Sequence, residues 1–197
     1  MATPEPTTKE RILYASAELF RRKGYSGTGL KEVTVQAQAP FGSLYHHFPG
    51  GKEALGEDVI RVSGAFFLQL FVVIADAAPD MGTAVEDFFR GAGETLVATD
   101  WEDACPIAVI ALEVASTSEP LRLATVDVFT SWIDEAARRF TAAGVAPAAA
   151  RALAFTVIGG LEGAFLLCRA LRTTEPMDAA GAAAAAQVRA ALAATYA

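Results

Sequence analysis

The stretch that decides the fold is Ala39-Pro40-Phe41-Gly42-Ser43-Leu44-Tyr45-His46-His47-Phe48-Pro49-Gly50-Gly51-Lys52-Glu53-Ala54-Leu55. Leu44 and Phe48 stand four apart and form the inward pair of a short helix. Pro40 suits its first turn, where a missing N–H costs nothing. At about 100° per residue, Gly42 and His46 then point away from the buried face. Ser43 and Tyr45 flank that outward face with hydroxyls. Pro49-Gly50-Gly51 breaks the chain, and a long apolar helix follows from Lys52.

Working back, Thr7 and Glu10 have the spacing of a capping box, which starts a first helix. Ile12, Ala15, Ser16, Leu19 and Phe20 give it one apolar face. Gly24 fits the left-handed position that ends it. Thr28-Gly29 opens a second short helix with Leu30, Val33 and Ala37 inward. A turn of about three residues then leads to the helix at Leu44, so the three helices make a helix-turn-helix unit. Such a unit lays its last helix in the major groove of DNA.

Working forward, helices are expected over 52–77, 82–98, 105–116, 120–143, 147–171 and 176–195. The tract Ala179–Ala186 reads as packed helix rather than disorder. The expected fold is all-α, with about nine helices. Residues 1–56 form the helix-turn-helix domain, and 57–197 a helical bundle for ligand binding and dimerisation.

The chain of 197 residues carries a net charge of −7, unevenly spread. Residues 1–56 hold seven Lys or Arg against five Asp or Glu; the remainder holds nine against eighteen. A mildly basic end beside an acidic body points to two domains with different partners. Cys105 and Cys168 give no disulfide framework or zinc spacing. The apolar, uncharged run Ser63–Ala75 falls short of the ~20 residues that span a bilayer. Without a visible signal peptide either, the expectation is a cytoplasmic protein that needs no membrane, metal or cofactor.

Residues 8–56 resemble the DNA-binding domain of the TetR family of transcriptional repressors. The resemblance rests on Arg11–Phe20, Lys23-Gly24-Tyr25, Thr28 and above all Gly42–Phe48 followed by Lys52. Pro49-Gly50-Gly51-Lys52, and the later segment from Cys105-Pro106 to Arg122, look like the LmrA/YxaF-like subgroup. The resemblance implies backbone contacts to DNA from Thr28, Ser43, Tyr45, His47 and Lys52. Hydroxyls and an ammonium at helix starts suit phosphate oxygens. Pro40, Phe41, Gly42 and His46 complete the expected DNA-binding set. Phe41 departs from the family's usual Lys or polar residue. Its ring could touch a thymine methyl or pack at the core edge. Gln38 replaces the usual turn glycine and is strained if φ is positive there. Thr34 and Val35 also replace commoner residues.

Behind this domain, Phe67, Phe71, Phe89, Trp101, Phe129, Trp132 and Phe155 could line an apolar pocket, with Cys105 nearby. A solid aromatic core explains them as well. Glu113 and Glu162 interrupt apolar runs, and a buried carboxylate needs a partner. That partner could be a cationic ligand, an Arg such as Arg169, or water. Gly159, Gly160 and Gly163 allow a close helix crossing, within the chain or with a second copy. By the family resemblance, Phe155, the three glycines, Leu167, Val188 and Leu192 would form a homodimer interface.

The expected function is a ligand-responsive, dimeric DNA-binding repressor. It would be released from a palindromic operator by a small apolar or amphipathic inducer. An enzyme fares poorly, because both histidines are adjacent and no nucleophile or metal constellation accompanies them. A helical small-molecule-binding protein with a weakened DNA domain is the alternative, separable by the salt dependence of DNA binding.

Overall fold

The computed structural model describes residues 5–194. Nine helices and no strand are found among them: α1 Thr8–Lys23, α2 Leu30–Gln36, α3 Phe41–His47, α4 Gly51–Ala77, α5 Met81–Ala98, α6 Pro106–Val114, α7 Glu119–Ala142, α8 Pro147–Leu171 and α9 Glu175–Ala194. The expected bounds hold to within two residues; the expected end of the last helix, Thr195, lies outside the described residues.

Local chemistry sets the first boundaries. The Thr7 hydroxyl accepts from the Glu10 amide at 3.3 Å, and the Thr7 amide donates to Glu10 Oε2 at 2.7 Å. α1 ends at Gly24, with φ +78°. α2 ends in a Schellman motif: the Ala39 amide bonds Thr34 O and the Gln38 amide bonds Val35 O. Gln38 fills the left-handed position at φ +49°, so the strain expected of a non-glycine there is present. Pro40 is the N-cap of α3 rather than a residue of its first turn.

The chain forms two compact units, divided differently from the expected 56/57 boundary. The first holds the described residues up to Ala65 together with Cys105–Val128; the second holds Phe66–Ala104 and the described residues from Phe129 onward. α6 and the start of α7 therefore pack with the helix-turn-helix. Leu121 lies over Gly56 and Val128 over Gly64, where added Cβ atoms would collide with them. Arg61 pairs with Asp127 at 2.8 Å, and the Ser118 hydroxyl donates to Glu53 at 2.6 Å.

In the second unit, α9 lies close on α5 because Gly181 meets Phe89: an added Cβ would stand 2.8 Å from the Phe89 Cβ. Phe89, Phe140, Ala154, Met177, Ala185 and Val188 are fully shielded from solvent there or nearly so. The Ala-rich tract of α9 is packed helix, with Gly181, Ala184 and Ala185 buried. Arg138 and Arg139 hold the Glu135 carboxyl down to about 2. α4 and α8 are long and apolar enough to cross a membrane by length and composition alone, although single charges such as Arg61 and Glu162 interrupt their uncharged runs. Each buries one side in protein; α8 does so through Leu153, Val157, Leu161 and Cys168.

Candidate nucleic-acid interface

α3 is seven residues long and is held by two side chains. Leu44 is 0% and Phe48 1% exposed, locked against α1 and its neighbours in the first unit. Arg11 on α1 donates from Nε to Ala37 O at 3.1 Å, which ties the end of α2 to α1. With that face anchored, Phe41, Gly42, Tyr45 and His46 are exposed, and Ser43 and His47 half-exposed. The rings of Phe41 and Tyr45 meet edge to face, with centroids 5.7 Å apart. A Cβ on Gly42 would meet nothing within 4 Å, so the backbone there is open to close approach.

Thr28 has a different task from the expected one. It is 2% exposed, and its hydroxyl donates to Gly24 O at 2.8 Å. Its amide is also used, bonding Tyr25 O at 3.2 Å. The hydroxyl closes the α1–α2 turn and is not presented to a phosphate; Gly29 is the N-cap of α2.

Lys52 lies in the first turn of α4. Its ammonium stands 4.6 Å from the centre of the Tyr25 ring and 3.4 Å from Ser26 O. Partial burial pushes its pKa down, against the opposing pull of Glu113. Glu113 on α6 completes this cluster. Its two oxygens accept from the Tyr25 amide at 2.9 Å and the Ser26 amide at 2.7 Å. Burial works against its ionisation, but the hydrogen bonds from Ser26 and Tyr25 and the charge of Lys52 outweigh it and hold the pKa below the usual range. Glu113 is therefore not a pocket residue of the second unit. Its partners are two turn amides 88 and 87 positions away. The sequence flagged it as a carboxylate in need of partners, and no local spacing could name them. Gly24 makes the fit possible, because an added Cβ would overlap Glu113 Oε1.

The other expected pocket residues divide. Phe67, Trp132 and Phe129 form a half-buried trio in the second unit, with centroids 6.5 and 5.6 Å apart. Phe71 is buried against Phe88 at 5.4 Å, and Phe89 is a solid core residue. Trp101 sits in a left-handed bend with Asp100, its carbonyl held by Arg169 Nε at 3.1 Å. Glu162 buries its Oε1. Cys105 is buried and belongs to the first unit, whereas the trio belongs to the second. A cleft of about 330 Å³ opens elsewhere, lined by Arg90, Glu94, Val97, Thr174 and Asp178, and includes none of the expected residues.

The expected interface residues divide as well. Phe155 is 54% exposed and Leu167 51%, so Phe155 is not a pocket wall. Added Cβ atoms on Gly159 and Gly163 would meet nothing within 4 Å. Between Ala152 and Ala170, every exposed residue of α8 except Thr156 is apolar or glycine. Gly160 instead faces the Phe89 ring, Val188 is fully buried in the core, and Leu192 packs against it. The i, i+4 pattern of α9 could not tell its inner from its outer side, because both are mostly alanine.

Comparison with known proteins fits this geometry. Residues 12–59 match the model of bacterial regulatory proteins of the tetR family, and residues 82–183 match the LmrA/YxaF-like transcriptional regulator C-terminal domain. The chain is 31% identical over 175 residues to the uncharacterized HTH-type transcriptional regulator YxaF of Bacillus subtilis, covering 89% of this chain and 92% of that protein. It is 29% identical over 170 residues to LmrA of the same organism, covering 86% and 90%. The fold matches a TetR transcriptional regulator from Legionella pneumophila, with TM-score 0.83 at 20% identity over 92% of this chain and 97% of that one. These matches favour the regulator over a small-molecule carrier, and the family is one of regulators rather than enzymes. A helix-turn-helix with an anchored, outward-facing α3, followed by an LmrA/YxaF-like helical bundle, makes this chain a member of the TetR family of transcriptional regulators.

Proposed function

We propose that the chain is a cytoplasmic homodimeric repressor that binds a palindromic operator through α3 and leaves it when a small apolar or amphipathic molecule binds. The observation that carries this reading is the split of α3: Leu44 and Phe48 fully inward, Phe41, Gly42, Tyr45 and His46 outward. Ser43, Tyr45 and His47 supply hydrogen-bonding groups toward phosphates, with Pro40 and Gly42 allowing close approach. Exposed Lys31 on α2, outside the motif positions expected to touch DNA, adds a cation. Lys52 would reach a phosphate only by leaving the Tyr25 ring.

The mainly apolar outer row of α8 supports dimerisation, since contiguous exposed apolar side chains on a helix mark an interface. Two copies related by a two-fold axis would present two α3 helices to half-sites about 34–36 Å apart. The inducer would sit at the Phe67–Trp132–Phe129 trio, where half-buried rings offer apolar contact. α4 and α7 each run through both units, so a ligand that favours one arrangement of these helices can bias the helix-turn-helix. The shift is bounded by the ligand's differential affinity for the two states.

Fluorescence anisotropy on DNA flanking the protein's own gene, at two salt concentrations and with random DNA as competitor, tests the reading. Competitor-resistant binding that weakens linearly in log salt supports it. Binding no tighter than to random DNA, both there and after selection from random duplexes, overturns it.

A further inference from the structure

α3 reaches the open surface with none of the side chains that grip a base edge through two hydrogen bonds. Its residues are Phe41, Gly42, Ser43, Leu44, Tyr45, His46 and His47, with no Arg, Lys, Asn, Gln, Asp or Glu. The pairs that single out guanine or adenine in the major groove rely on those missing residues. The outward face of α3 offers an aromatic surface instead. Phe41 is 44% and Tyr45 48% exposed, and their edge-to-face contact props the Phe41 ring on the open side. Open space at the neighbouring Gly42 lets the backbone beside this ring come close to a base pair. Leu44, fully buried, fixes the rotation of the helix, so Phe41 cannot turn inward without losing that anchor. The apolar group that a standard base pair shows in the major groove is the C5-methyl of thymine.

We propose that Phe41 is a specificity-determining residue that reads a thymine C5-methyl in each operator half-site. The proposal rests on the DNA-binding reading above and adds the chemistry by which sequence is recognised. Hydrogen bonds from Ser43, Tyr45 and His46 then position the helix, and the methyl contact selects the register.

The test starts with binding sites selected from random duplexes by the full-length protein. Each thymine of one selected half-site is then replaced by deoxyuridine, which removes only the methyl. One replacement should weaken binding about fourfold, the effect of one buried methyl. Phe41→Ala should bind the thymine and deoxyuridine duplexes equally, while Phe41→Leu, still apolar, keeps the preference. Matching thermal melts of both variants and the unsubstituted protein separate recognition from folding. Unchanged affinity at every deoxyuridine position, or a methyl preference that survives in Phe41→Ala, would overturn the proposal. If no duplex were enriched at all, the DNA-binding reading itself would fall, and this one with it.

Discussion

α3 and α8 both leave apolar side chains in the open, and the difference between them is instructive. On α3, Phe41 and Tyr45 are exposed beside Ser43, His46 and His47, so each ring has hydrogen-bonding neighbours. On α8 between Ala152 and Ala170, the exposed residues beside Phe155, Leu166 and Leu167 are alanine, glycine and Thr156, with half-buried Glu162 the one charge between Phe155 and Leu167. A mixed face suits a partner that is both polar and ridged, such as a groove lined by phosphates. A mainly apolar row suits a surface of its own kind. Exposure alone does not assign a function; the company an exposed side chain keeps does.

The comparison breaks most sharply at α8. Leu167→Glu should place like charges across the proposed two-fold contact and leave each chain folded, since Leu167 is half-exposed. Dimer dissociation should rise by on the order of a hundredfold, read by analytical ultracentrifugation. Unchanged association would move the interface off this row.

A smaller effect is expected within the first unit. Glu113→Ala leaves the Tyr25 and Ser26 amides without their carboxylate and should cost about 1–2 kcal/mol in urea unfolding. Because the Glu113 pKa is lowered on folding, its contribution is present above its unfolded value and is lost as pH falls through the lower folded one. Glu113→Gln should therefore flatten the acid limb of stability below about pH 4.5. An identical acid limb in the variant would assign the pH dependence elsewhere.

Lys52→Met distinguishes two uses of one ammonium. If Lys52 leaves Tyr25 for a phosphate on DNA, the slope of log K against log salt should fall by about 1. If it stays over the ring, the slope holds and only stability changes, by about 0.5–1 kcal/mol. The smallest effect is a gain: Gln38→Gly should raise stability by about 0.5–1 kcal/mol by relieving the left-handed backbone. A loss there would mean that the Gln38 side chain earns its place by contacts other than backbone fit.

What could be read in the sequence was mostly local. The Thr7–Glu10 box, the positive φ at Gly24 and Gln38, and the Leu44–Phe48 pair involve residues within four positions of one another. Their geometry follows from spacing alone. Thr28 misled because a hydroxyl at a helix start can serve a phosphate or its own turn, and the carbonyl of Gly24 was nearer. Glu113, Gly160 and Val188 were misplaced for another reason. Their partners are the Tyr25 and Ser26 amides, the Phe89 ring and the shared core, all distant in sequence. Periodicity gives a helix its sides and leaves open which neighbour each side meets.

The seat of Glu113 beside the bare Gly24 bears on how such proteins can be recombined. A crossover between two relatives near residue 56 would join one parent's turn to the other's α6. Where the donor of residues 1–56 carries any side chain at 24, it collides with the incoming carboxylate; where the donor of α6 lacks the acid, two amides lose their acceptor. Working chimeras should therefore inherit Gly24 and Glu113 from the same parent, and the part of the chain that travels as one heritable block is discontinuous.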